Sequence, residues 1–168
     1  MPTRLSPNRE GLDVNSLGRV VLAELSQSEA DGLLAMEKTR VNEDTYDFSP
    51  AIQKLEIVLR SLDSREEFFL DISRGRINLS KGTYQNRARQ TVVLARVDYG
   101  GAPHRNPDGE EIESPHLHVF KEGFADKWAQ PLPADLFSDS SDERTIYSDF
   151  LRFCNITRPP YVQWGLFV

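Results

Sequence analysis

"TYQNRARQTVVLARVDYGG", residues 83–101, is the stretch on which the fold turns. Its centre, Thr91 to Val97, is rich in β-branched residues, whose restricted χ1 suits a pleated strand better than a helix. The stretch is long enough for one extended strand or for two with a bend. On its N-terminal side "KLEIVLRSL" (54–62) alternates Leu55, Ile57 and Leu59 against Glu56, Val58 and Arg60. "EFFLDIS" (67–73) follows after the polar turn "DSRE", and "GRINLSKG" (75–82) reads as a short strand between glycines. Short turns between strands favour an antiparallel meander.

On the C-terminal side, Pro107-Asp108-Gly109 is a strong turn signal, since proline presets φ and glycine accepts positive φ. Residues 92–98 and 116–120 are therefore expected to pair as a hairpin, with His104 on the connecting loop. Side chains alternate along a strand, so His116 and His118 share one face while Leu117 and Val119 point to the other.

Helices are expected at both ends of this sheet. In "SQSEADGLLAMEK" (26–38), Ser26 and Glu29 fit a capping box, with Leu33, Leu34 and Met36 on an apolar side. In "SSDERTIYSDFLRFCNI" (140–156), Ser140 and Glu143 fit a second box, and Ile146, Phe150, Phe153 and Cys154 form an apolar stripe. "KWAQPLPADLF" (127–137) reads as an extended crossing, and "YVQWGLFV" (161–168) as a final apolar strand. The expected fold class is α+β: a mainly antiparallel meander flanked by an N-terminal and a C-terminal helix, closed by a C-terminal strand. Residues 1–16 read as a loose arm and 17–168 as one domain.

Composition narrows the function classes. The chain has 168 residues, 39% of them hydrophobic and 27% charged, as expected of a soluble domain with a packed core. No apolar run is long enough for a membrane span, and the first residues lack a secretory h-region. The single cysteine, Cys154, excludes an internal disulfide and points to a reducing cytoplasm. Net charge is −6, yet residues 73–105 carry seven basic side chains and one acid, Asp98. That window is +6 and the remainder −12. A local basic stripe permits an anionic partner such as a phosphate backbone, whereas arginines paired with acids of neighbouring strands are the bland alternative.

All three histidines fall between residues 104 and 118. One reading is a metal site: His116-x-His118-x₃-Glu122 resembles a fragment of the cupin barrels. The second cupin motif is missing, so the expectation is that no metal or other cofactor is bound. A second reading is metal-independent RNA cleavage, which needs a base, an acid and cations for the phosphate. His116, His118, Tyr84, Arg87 and Lys121 are the candidate catalytic groups. Arg74, Arg89, Arg96 and Lys127 are the candidate phosphate contacts, with His104 nearby. The architecture of a helix followed by a meander is similar to the RelE-type and ToxN-type RNase toxins, a likeness of architecture alone. A third reading is a non-catalytic, protein-binding inhibitor that docks through its acidic and basic surfaces; across these readings the expected partner is RNA or a nucleic-acid-binding protein complex.

From Asp71 to Pro133 the chain resembles a family of uncharacterised bacterial and prophage-borne proteins. The likeness rests on "TYQNRARQTVVLARVDYGGAPHRNPDG" followed by "SPHLHVFKEGFADKWAQPLP". It implies a setting among mobile elements, where toxins, defence factors and inhibitors of defence are common. It assigns no catalytic residue. The expected function is a mobile-element-linked protein acting on or near nucleic acid, with a metal-independent RNase-like site as the specific reading and a non-catalytic inhibitor of defence as the alternative.

Overall fold

A computed structural model of the protein describes residues 25–165. The expected arm, 1–16, and the last three residues lie outside that range. Helix α1 spans Gln27–Ala35 and begins with the expected capping box: the Ser26 side chain accepts from the Glu29 amide, and the Glu29 carboxylate accepts from the Ser26 amide. Helix α2 spans Glu143–Phe153, but its N-cap is Asp142, whose carboxylate accepts from the Thr145 amide at 2.8 Å. Ser140 is passed over because Asp142 caps directly ahead of the helix.

Four strands form the meander: β3 (Lys54–Ser61), β4 (Glu67–Arg74), β5 (Gly82–Ala88) and β6 (Val92–Tyr99). Residues 83–101 are thus two strands, turned at Arg89 and Gln90, which both take positive φ. The segment 75–81 is a loop, not the strand expected from its flanking glycines. Asn78 holds it as a turn, its side chain accepting from both the amide and the hydroxyl of Ser80. Beyond β6 the chain makes a small hairpin, β7 (His104–Arg105) with β8 (Glu111–Ile112), around the Pro107-Asp108-Gly109 turn. It returns as β9 (His116–Val119), antiparallel to β6, and then β10 (Ala129–Pro131). The sequence reading also missed β1 (Lys38–Arg40), β2 (Thr45–Phe48) and β11 (Ile156–Arg158), which adds to β1 in parallel, and it left the short β7 and β8 as loop. The sheet of eight runs β10-β9-β6-β5-β4-β3-β1-β11. The final strand β12 (Tyr161–Trp164) pairs in parallel with β2 (Thr45–Phe48) in a separate ribbon, not in the main sheet.

Cross-strand register divides the sheet into two faces. Ile72, Tyr84, Val97 and Leu117 follow one another across β4, β5, β6 and β9, with the pair Ile57 and Leu70 of β3 and β4 beside them, and all are buried. Both helices add to this face with Ala30, Leu33, Ile146 and Phe150. At its centre sits Tyr84, with the rings of Tyr99 and Tyr147 each 5.1 Å away. One buried cation organises the helix ends. Lys38 is wholly buried, and its Nζ donates to the carbonyls of Leu34, Met36 and Cys154 at 2.8, 2.8 and 2.9 Å. It thereby satisfies C-terminal carbonyls of both helices at once, acceptors that have no partner inside a helix.

The opposite face is polar. One row across it reads Glu56, Asp71, Gln85, Arg96, His118; the next reads Ser73, Thr83, Asp98, His116. This face carries the candidate site.

Candidate metal centre

His116 and His118 project from β9 onto the polar face, as their spacing requires. They are not the half-exposed strand residues that acid–base catalysis on a polymer needs: they are 4% and 0% exposed. The β7–β8 hairpin folds over them and brings His104 into the group. Asn106 ties that hairpin down. It is buried, and its side chain acts as an extra strand partner for Ala129 of β10, accepting from the amide at 2.8 Å and donating to the carbonyl at 3.0 Å. Asn106→Ala is therefore expected to cost about 2 kcal/mol, because both groups of Ala129 lose their partner inside the protein. Hydrogen exchange at the Ala129 amide should quicken in that variant more than exchange at the meander amides.

One ring nitrogen from each of His104, His116 and His118 lies within 4.8 Å of the other two. The remaining ring nitrogens are held by main-chain carbonyls. His118 Nδ1 lies 2.8 Å from the Asp126 oxygen, His116 Nδ1 3.2 Å from that of Glu113, and His104 Nε2 2.9 Å from that of Lys127. A carbonyl only accepts, so each of these nitrogens carries the hydrogen, and it is the other nitrogen of each ring that can offer a lone pair to a ligand.

Asp98, opposite His116 on β6, faces Nε2 of both His116 and His118. Its Oδ2 is 3.3 Å from His118 Nε2 and 3.7 Å from His116 Nε2. Burial would raise its carboxyl, but the ring nitrogens of His116 and His118, the Arg96 guanidinium and the Thr83 hydroxyl outweigh it and hold it well below the ordinary carboxylate range. Asp98 is thus an anion held beside Nε2 of both rings.

The nearest positive group is Arg96. Its Nη2 is 3.1 Å from His118 Nε2, its Nε donates to Asp98 Oδ2 at 3.1 Å, and its other nitrogen meets the Asp126 carboxylate.

The other expected site residues lie elsewhere. Tyr84 is on the core face, wholly buried, its hydroxyl donating to the Glu143 carbonyl. Burial pushes its phenol far above the ordinary value, so it offers no base. Arg74 is also on the core face, donating to the Phe48 carbonyl with its guanidinium 3.9 Å from the Phe48 ring centre. Arg87 shares the polar face but is bound to Asp71 and Glu56. Arg89 sits in the β5–β6 turn, 3.6 Å from Glu29. Lys121 lies over the Trp128 ring at 4.0 Å, and Lys127 joins the site only through its carbonyl. Glu122, the carboxylate of the cupin-like fragment, instead accepts from the Gln27 amide at the start of α1. The basic window is therefore split between both faces of the sheet, and Arg87, Arg89 and Arg96 each meet a carboxylate. The residue missed by sequence reasoning is Asp98. Its signal was its position as the only acid in the basic window, on the strand expected to face His116.

Among the described residues, no helix is long and apolar enough to cross a membrane. No curated protein and no solved structure matches the chain. Residues 25–156 match a family of unknown function, so the site lies wholly within the matched region. The protein belongs to the family of unknown function DUF6978.

Proposed function

We propose that this is a metal-binding protein whose centre is formed by His104, His116 and His118 with Asp98 as the carboxylate ligand. One observation carries the reading: three buried or half-buried imidazoles converge, and each has its outward nitrogen fixed by a main-chain carbonyl. Histidines that ligate metals almost always have their second nitrogen held in this way, which sets both tautomer and ring direction. The donor set suits zinc first, with imidazole nitrogens and one carboxylate in a tetrahedral shell. Bonds of about 2.0–2.1 Å in such a shell place neighbouring ligand atoms roughly 3.3 Å apart. The Asp98 oxygen already stands at 3.3 and 3.7 Å from two of the nitrogens.

The centre would join β6, β7 and β9, and so clamp the excursion between β6 and β9 onto the polar face. Acid–base cleavage of RNA finds less support. His118 presents no surface to a 2′-hydroxyl, Tyr84 is on the opposite face, and Arg74, Arg87 and Arg96 are engaged within the protein.

The test is elemental analysis and zinc titration of protein purified without chelator. One zinc per chain is expected. A saturating zinc concentration should raise the melting temperature, because the ion binds the folded state alone: at 100 times Kd the gain is about 2.7 kcal/mol. Absence of both retained metal and any shift in melting would overturn the reading.

A further inference from the structure

Arg96 stands where the incoming ion must go. The His118 ring holds its Nδ1 hydrogen on the Asp126 carbonyl, so Nε2 has one in-plane lone pair. That lone pair faces Arg96 Nη2 at 3.1 Å. One lone pair serves one partner, so it cannot accept from a guanidinium and bind a metal at the same time. Arg96 also bonds Asp98 Oδ2, the oxygen nearest the imidazole nitrogens. A guanidinium is always charged, so it does not yield by losing a proton. It must move, and it already has a second anchor on Asp126, a carboxylate 26% exposed at the margin of the site.

We infer that Arg96 is an internal competitor for the metal position, an exchangeable cation that neutralises Asp98 and caps His118 until a metal displaces it onto Asp126. This rests on the metal-centre reading above. It makes Arg96 the residue that sets which ions enter. A hard, weakly bound cation such as Mg²⁺, which prefers oxygen ligands and sheds water reluctantly, gains too little from imidazole nitrogens to move it. Zn²⁺ and its neighbours in the transition series gain enough. The arrangement also keeps the half-buried carboxylate paired in the metal-free protein.

The experiment is chelator-competition titration of Zn²⁺ into the full chain and into Arg96→Gln and Arg96→Lys, with melting of each metal-free protein as the check of folding. Arg96→Gln is expected to bind zinc more tightly by roughly 10- to 100-fold, the range by which residues outside the metal shell tune affinity. Its metal-free form should melt lower than the wild type. Arg96→Lys has no planar fork to span His118 and Asp98, and should fall between the two. Should Arg96→Gln not fold, Arg96→Lys alone decides the direction. In ¹⁵N spectra of the wild type, the His118 Nε2 resonance should move from hydrogen-bonded to metal-bound on zinc addition. Zinc bound by the wild type but equally or less tightly by the variants overturns the competition and leaves the ligand set standing. Zinc bound by none of the three removes the metal centre and the competitor with it.

Discussion

Replacing His118 by alanine is expected to abolish stoichiometric zinc binding. The loss should exceed the roughly 100-fold that removal of an outer-shell partner costs, because a donor atom itself is taken away. His118 is the most committed of the three histidines: it is wholly buried, fixed by Asp126, and nearest to Asp98. His116→Ala and Asp98→Asn should weaken binding in the same titration. Glu122→Gln is the informative contrast, because its carboxylate holds the start of α1 and has no part in the centre. Zinc affinity should be unchanged in that variant. If instead Glu122→Gln loses zinc and Asp98→Asn keeps it, the ligand set derived from the sheet register is wrong. The cupin-like fragment of the sequence would then be the better guide.

The second large effect concerns stability. Lys38→Met keeps the length of the side chain but leaves the carbonyls of Leu34, Met36 and Cys154 without their shared donor. A loss of about 3 kcal/mol is expected, since buried acceptors stripped of partners cost roughly 1–3 kcal/mol each and some relaxation is available. Chemical denaturation at neutral pH measures it directly. The wild type should also show a pH signature. Burial pushes the Lys38 ammonium down to about 8, despite the carbonyls around it. In the unfolded chain a lysine keeps its proton until about pH 10.4. Between those values the unfolded state holds the extra proton, so this group makes stability rise with pH across that window. Lys38→Met should lack the rise. A variant as stable as the wild type would show that the helix ends do not depend on this cation.

The parts of the fold that were legible in the sequence are those dictated by local patterning. The alternation in 54–62, the capping box at Ser26 and the turn at Pro107-Asp108-Gly109 each state their structure within a few residues. The pairing of β6 with β9 followed from that turn, and with it the shared face of His116 and His118. Strands β1 and β11 were not legible, because three-residue strands carry no period and are fixed by partners distant in sequence. The same holds for the faces of the arginines. Nothing local shows that Arg74 points into the core while Arg87 and Arg96 point away from it; the register of β4, β5 and β6 decides that. The loop at 75–81 was misread because bounding glycines mark a turn as well as a strand end.

The site was half legible for the same reason. Three histidines within fifteen residues were visible, but their burial comes from the β7–β8 hairpin and from Asn106, whose partner Ala129 lies far along the chain. Asp98 was counted as an exception within a basic window. Only the antiparallel register sets it against His116 and makes it the carboxylate of the proposed centre.

X-ray absorption at the zinc edge tests the central claim most directly, because it reads the atoms bound to the ion in the protein as it exists in solution. The full chain loaded with one equivalent of zinc should show a four-coordinate first shell of nitrogen and oxygen at about 2.0–2.1 Å. The outer-shell scattering should be that of three imidazole rings. Sulfur in the first shell, or a shell of oxygen without imidazole scattering, would contradict the assignment of His104, His116 and His118.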